Sequence, residues 1–351
     1  MRRVCQAHCP VCGEGGTVLY QNLEDHLYHA PGHWIMSRCA NSACGALWLS
    51  EAPHPEDLAI AYQNYYTHSA DSSAAAPVPS QRSRIKEALV RRRFGYPEPR
   101  NIGFALFDVA LRALLPGTIE AAYYQHLYVP WQPGGRLLEI GCGAGNQLLV
   151  LRQAGWQVAG VDFDPEAVAT ARRRGLEVHL GDVRSLKLDH ESFDAIVMGH
   201  VVEHTYDPIE VLKECRRLLS PNGVIIAVTP NADALGHRLY KDAWRGLEPP
   251  RHLVVFTPRA LRLAFRMAGF QPKETRYSAR DSTNMLNLSA SIRAIISGRR
   301  ANLRLSKLVT GLERVGAWIG ISWAEEQILL AHRGPDRAGL VEQQPPSRLE
   351  S

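Results

Sequence analysis

Two groups of residues in this chain have the types and spacing needed for chemistry. The first is residues 137–147, Leu-Leu-Glu-Ile-Gly-Cys-Gly-Ala-Gly-Asn-Gln, where an apolar strand ending at Ile140 enters a turn containing Gly141, Gly143 and Gly145, and a helical pattern follows. Glycine tolerates positive φ and has no Cβ, so the chain can turn sharply and its backbone can approach a ligand closely. Further apolar strands follow at strand–helix spacing: Val158-Ala-Gly-Val-Asp162 ends in an acid, Gly181-Asp182-Val183 follows a third strand, and Phe193–Met198 forms a fourth. The second group is four cysteines in two pairs, Cys9-Pro-Val-Cys12-Gly13 and Cys39-Ala-Asn-Ser-Ala-Cys44-Gly45. Each pair ends in Cys-Gly, where a glycine lets the chain curl so that backbone N–H groups reach a thiolate sulfur. Two such knuckles complete a tetrahedral Zn²⁺ site of four thiolates. The wider second spacing leaves His8 and Cys5 as substitute ligands. Cys142 and Cys215 read as small packing residues.

A dinucleotide site also places glycines after a first strand and an acid about 20 residues later. The turn here, G-C-G-A-G, lacks the G-x-G-x-x-G spacing that sets a pyrophosphate over a helix N-terminus. A second acid, Asp182, follows the next strand, where an adenine amino group needs an acceptor. Together Glu139, Gly141–Gly145, Asp162, Asp182 and Gly199-His-Val-Val-Glu-His204 resemble the class I S-adenosylmethionine (SAM) dependent methyltransferases. Within that class the resemblance is to the branch holding the ubiquinone-biosynthesis O-methyltransferases, and it spans roughly residues 120–333.

That resemblance implies an α/β fold: a Rossmann-like sheet of seven strands with helices on both faces, the last strand antiparallel. It implies that Gly141, Cys142, Gly143, Gly145 and Gly199 line the SAM site, with Glu139 orienting the loop from beneath. Asp162 would accept both ribose hydroxyls, for which a carboxylate has acceptors enough. Phe163 would lie on the adenine face, and Asp182 with Val183 would meet its edge. Asp164-Pro165 reads instead as a helix N-cap with proline in the first turn.

Methyl transfer to a hydroxyl needs the acceptor held in line and its proton removed, and histidine suits a base at neutral pH. His200 and His204 follow the fourth strand. His252 lies in Trp244-Arg-Gly-Leu-Glu-Pro-Pro-Arg-His252, which resembles the family's substrate-side segment. Trp244 and Arg251 are the substrate candidates, the arginine offering a fork to an anion. Some ubiquinone-pathway relatives carry Glu-x-x-Glu-His at positions 200–204 and are thought to bind a divalent cation there. This chain has His200 in place of the first acid, which removes an oxygen ligand.

These motifs need a large sheet and a smaller module to hold them, and 351 residues suffice for both. The expected organisation is a zinc ribbon over 1–67, a polar linker over 68–81 and a helical cap over 82–122. The methyltransferase domain follows over 123–333, with a helical insertion at 282–324 (a basic portion around Arg293–Lys307, then apolar Val315–Trp323) and a polar tail over 334–351. Alternation of strand and helix patterns through Gly223–Thr229 supports a parallel sheet covered on both faces.

A net charge of +5 is too mild to imply nucleic acid. No signal-peptide h-region and no apolar run of about 18 residues occurs, so a cytoplasmic location is expected. The leading reading is methyl transfer from SAM to a small-molecule or glycan-type acceptor at oxygen. An RNA base methyltransferase using the ribbon and the basic run Arg82–Arg93 is one alternative, and a non-catalytic interaction module is another. Phe104–Leu115 and Val315–Trp323 are candidates for peripheral membrane contact or for a lid.

Overall fold

A computed structural model describes residues 1–63, 90–97, 116–301 and 303–335. The linker over 68–81, most of the basic run Arg82–Arg93, the apolar stretch Phe104–Leu115 and nearly all of the tail lie outside the described residues.

The N-terminal module is an antiparallel sheet of β1 (Arg3–Cys5), β2 (Gly16–Leu23), β3 (Trp34–Cys39) and β4 (Leu47–Pro53), in the order β1-β4-β3-β2. Trp34 and Met36 share one face of β3, and in β4 Leu47 and Leu49 share a face opposite to Trp48; all five are buried. A short 3-10 helix, Pro55–Tyr62, follows.

The main sheet contains β5 (Arg136–Ile140), β6 (Gln157–Asp162), β7 (Glu177–Leu180), β8 (Phe193–Gly199) and β9 (Leu219–Pro230). After the two-residue β10 (Val254–Val255) come β11 (Phe270–Ser278) and β12 (Glu326–Arg333), and the order across the sheet is β11-β12-β9-β8-β5-β6-β7. Neighbours from β7 to β9 pair in parallel, whereas β12 is antiparallel to both β9 and β11. This is the α/β arrangement that the resemblance implies, including the single reversed strand. Runs such as Ala195–Met198 in β8 and Ile225–Val228 in β9 are buried continuously, as strands covered by helices on both faces must be.

The N-terminal module is joined to the large domain by strand pairing: β10 adds to its sheet beside β4, with Val254 opposite Trp48 and Val255 opposite Leu47. The Leu49 N–H donates to the Leu253 carbonyl at 3.0 Å, and the ribbon core is continuous with the apolar side chains of the large domain. The segment 282–324 is helical, as its sequence reading expects. It is a pair of helices, Ser282–Ser297 and Leu303–Trp318, and the basic stretch 293–307 is broken in the middle because Gly298, at φ +63°, caps the first helix.

Candidate active site

The glycine turn is strapped to the neighbouring strand end. Gly141 and Cys142 donate their N–H groups to the Val161 carbonyl at 2.8 and 3.2 Å. Gly141 has φ +73°, and a Cβ there would fall 2.4 Å from Val201 Cγ2; Gly143 has φ +52° and faces open space. Gly145 begins the helix Asn146–Gln153 in the left-handed region. The Gly143 N–H donates to Asp162 Oδ2 at 2.7 Å and the Asp164 N–H donates to Oδ1 at 2.9 Å, so the acid at the end of β6 fixes the crest of the loop. A carboxylate has about four lone-pair sites, so acceptor capacity remains on both oxygens. Burial raises the Asp162 pKa, and these backbone donors oppose the rise. Beneath the loop Glu139 is buried with Oε2 lacking a hydrogen-bond partner, and burial, reinforced by the Asp162 charge, holds its pKa well above normal.

Phe163, next along, is 64% exposed and meets the Tyr62 ring edge-on with centroids 5.5 Å apart, so a flat apolar wall stands beside Asp162. The Cys142 thiol is turned toward Gly160, whose absent Cβ would lie 2.5 Å from the sulfur, so this residue offers the site its backbone. Asp164 caps the helix Pro165–Arg173 through the Glu166 and Ala167 N–H groups, as its Asp-Pro context implies. Asp182 is a more qualified candidate. Besides the Arg184 N–H at 2.8 Å, its oxygens take Arg184 Nε at 3.0 and 3.2 Å and Nη2 at 2.6 Å, and it caps a short turn containing buried Val183. Three Arg184 N–H groups already use most of its acceptor capacity. Open space at Gly143, an unpartnered Glu139 oxygen, spare acceptors on Asp162 and the bare Phe163 ring form a donor and acceptor set that fits SAM.

Beyond Gly199, His200 adopts φ +54° and projects into a polar cluster that sequence spacing does not reveal. Its Nδ1 lies 3.2 Å from Glu203 Oε1 and its Nε2 3.1 Å from Glu326 Oε1 at the start of β12. Burial alone would lower the His200 pKa, but the two carboxylates outweigh it and hold the value well above normal. Burial opposes ionisation of Glu326 as well, yet His200 and Arg280 hold that carboxyl down at about 2. Arg280 Nη2 donates to Glu326 Oε1 at 2.6 Å while its guanidinium lies 3.7 Å from the centroid of the Tyr124 ring. Glu120, on the helix Pro116–Gln125, accepts the Ala279 N–H at 3.0 Å, and burial pushes its pKa up to about 7 against the pull of that donor. Both His200 nitrogens are engaged by acids that favour its charged form, whereas burial brings the Glu120 pKa to about 7. The acid pair Glu325-Glu326 opening an apolar strand was the one signal in the sequence that pointed to this cluster.

Four other candidates lie in packed surroundings. Trp244 is buried, stacks on His237 and donates Nε1–H to Glu325 Oε2 at 2.6 Å, so it packs the interior and touches no acceptor. Arg251 is 1% exposed: Nη2 donates to Asp25 Oδ2 at 2.8 Å, Nε to Glu248 Oε1 at 3.0 Å and Nη1 to the Ala61 carbonyl at 2.8 Å. Its fork is spent on the ribbon and on its own loop, and none is left for an anionic substrate. His252 is also buried, with Nδ1–H on the Gly246 carbonyl at 2.8 Å, and burial lowers its pKa to about 4. It stays neutral but is sealed from a solvent-borne acceptor, so it is not placed as the base. His204 packs its ring 4.8 Å from His252, and its Nδ1 lies 3.0 Å from both the Arg251 carbonyl and the Tyr62 hydroxyl. Glu203, His204 and His252 each bring one ligand atom within 4.8 Å of the others, so the cation-compatible trio contains His252 in place of the His200 suggested by spacing.

The four thiols converge at the ribbon's tip. Sγ atoms of Cys9, Cys12, Cys39 and Cys44 all lie within 4.8 Å, with Cys9 to Cys44 at 3.8 Å and Cys12 to Cys39 at 3.4 Å. Tetrahedral zinc with Zn–S bonds of about 2.3 Å places its sulfurs about 3.8 Å apart, so the set fits that ion. Gly13 and Gly45 take φ +77° and +64° at the two curls, and the Val11 and Cys12 N–H groups point at Cys9 Sγ. Cys5 and His8 are outside this group, so the wide second spacing still supplies its own ligand. The Thr257 hydroxyl donates to the Cys44 carbonyl at 2.6 Å, linking this tip to the large domain.

Comparison with known proteins follows the same lines. Residues 116–275 match the family model described as a methyltransferase domain. A ubiquinone biosynthesis O-methyltransferase of Haemophilus ducreyi is 34% identical over 109 residues, covering 28% of this chain and 46% of the relative. A Mycolicibacterium smegmatis protein named a probable S-adenosylmethionine-dependent methyltransferase is 35% identical over 126 residues, covering 33% of this chain and 49% of the relative. The chain therefore spans about half the length of these curated relatives or less. A SAM-dependent methyltransferase structure from Mesorhizobium loti superposes with a TM-score of 0.44 at 18% identity, covering 61% of this chain and 98% of that one.

Proposed function

We propose that this chain is a SAM-dependent methyltransferase acting at oxygen on a small-molecule or glycan-type acceptor, with a structural zinc ion in its ribbon. The observation that carries the reading is the 2.7 Å hydrogen bond from the Gly143 N–H to Asp162, which joins the glycine turn to the acid at the neighbouring strand end. When bound, SAM supplies an electrophilic methyl group on a sulfonium. Asp162 accepts the ribose hydroxyls, the Phe163 ring covers one face of the adenine, and neutral Glu139 braces the loop from below. On the acceptor side the Arg280–Glu326–His200 chain fixes the floor with charges already paired, and Tyr124 is held by the guanidinium above it. Glu120 takes the acceptor's proton, because a carboxyl with its pKa near 7 is half ionised at working pH and strong enough as a base once ionised.

Titration calorimetry of the full chain with SAM, followed by transfer of labelled methyl to a panel of hydroxylated acceptors, tests the proposal. Asp162→Asn should weaken SAM binding about tenfold, since a charge-assisted hydrogen bond contributes roughly 1.5–3 kcal/mol. Wild-type protein with no measurable SAM affinity would refute it.

A further inference from the structure

The helix Leu303–Trp318 is built inside out. Ser306, Thr310 and Glu313 face inward and are buried, whereas Leu308, Leu312, Val315, Trp318 and Ile319 face outward; Leu308 is 64% and Trp318 76% exposed. These outward residues recur every three or four positions, the spacing of a continuous helical stripe. The inward polar face is a committed one: Glu313 is buried close to Glu325, which itself holds the Trp244 indole, and the Thr310 hydroxyl meets that of Thr283. Rotating the helix to hide its apolar stripe would break these contacts, so the exposure is fixed by the fold. Ile295, Ile296 and Leu303, where the two insertion helices meet, extend the apolar surface.

Charge selects what this surface meets. Across residues 282–324 there are six basic side chains and one acid, the buried Glu313, a formal excess of five equal to that of the whole chain. Arg299, Arg300, Arg304 and Lys307 lie in exposed positions at the end of the hairpin from which the stripe runs. A second copy of the chain meeting this face by a two-fold axis would bring two such excesses together. A bilayer with anionic headgroups satisfies both components, since the acyl boundary takes the apolar side chains, an interfacial tryptophan suits the headgroup level, and the phosphates take the cations. Among the described residues no helix is long and apolar enough to cross a membrane, so the contact lies in the interface plane.

We infer that the helical insertion docks the protein on an anionic membrane surface through the Leu308–Leu312–Val315–Trp318 stripe and its flanking arginines. This goes beyond the methyl-transfer reading and does not depend on it.

The test is co-sedimentation of the full chain with vesicles of phosphatidylcholine alone and of phosphatidylcholine with about one-third phosphatidylglycerol. Binding should require the anionic lipid and reverse in high salt. The double variant Leu312→Ser/Trp318→Ser should lower vesicle affinity at least tenfold, on the order expected from two buried apolar side chains. Arg299→Gln/Arg300→Gln should cost about fivefold per charge at low salt. Both variants change exposed positions, and unchanged SAM affinity and melting temperature will report intact folding. Equal vesicle binding by wild type and the double variant would overturn the proposal. Light scattering that shows a dimer abolished by Trp318→Ser, with no vesicle binding by wild type, would assign the stripe to a second copy and overturn it as well.

Discussion

Arg251→Met should destabilise the protein severely and leave acceptor affinity nearly unchanged. The guanidinium is 1% exposed and contacts Asp25, Glu248 and the Ala61 carbonyl at 2.8, 3.0 and 2.8 Å, so it joins the ribbon to the loop that precedes β10. Removing one partner of a buried ion pair costs about 3–5 kcal/mol because the other charge stays buried without compensation. Two features bring the figure to the lower end. Glu248 retains its contact with Arg245, and Asp25 retains the Leu27, Tyr28 and Ala30 N–H donors at 3.2, 3.0 and 3.1 Å. The expected loss is therefore about 3 kcal/mol, or roughly 4 °C in melting temperature for a protein of this size. Asp25→Asn added to Arg251→Met should recover part of the loss, since the second change removes the orphaned charge. Chemical denaturation of the two single variants and the double variant gives the coupling directly, and steady-state kinetics gives KM for the acceptor. An Arg251→Met enzyme with wild-type stability and a KM raised tenfold would show that the arginine serves substrate, and the structural argument would be wrong.

Two further outcomes follow from the same geometry. Cys9→Ser, or exhaustive chelation, should release about one zinc per chain and also weaken SAM binding, because β4 carries β10 and the ribbon core is shared with the large domain; zinc loss with native SAM affinity and melting temperature would contradict that coupling. The rate of methyl transfer should rise with pH through about 7, where Glu120 ionises, and be flat above it. Since the base works only as the carboxylate, activity is lost as pH falls below that value, and Glu120→Gln should lower kcat by about 10²–10⁴-fold and abolish the ascending limb. Persistence of the limb in the variant would move the base elsewhere.

The strongest sequence signals were local ones. Gly141, Gly143 and Gly145 reveal a turn because positive φ is a property of single residues, and the acid at Asp162 follows from where a short apolar run stops. Cys-Gly at both knuckles and Asp164-Pro165 at a helix start are local in the same sense, and the structure places each as its chemistry demands. Alternation of strand and helix patterns carried the parallel sheet, while the reversed final strand was implied only by the resemblance to the class I methyltransferases.

What the sequence could not decide was which of several chemically equivalent side chains meets open space. Arg251 and His252 carry the right groups for binding and proton transfer, but residues more than a hundred positions away, Asp25 and Ala61, come to cover the arginine, and the same packing encloses the histidine. Glu120, Arg280 and Glu326 are scattered along the chain and gain a shared function only when a helix, the end of β11 and the start of β12 converge on His200. The insertion helix shows the limit most plainly. Its periodicity fixes two faces, one apolar and one polar, but which of them turns inward depends on the polar partners waiting at Thr283 and Glu325. Burial depends on what packs against a residue, and for long-range contacts that is set by the assembled fold.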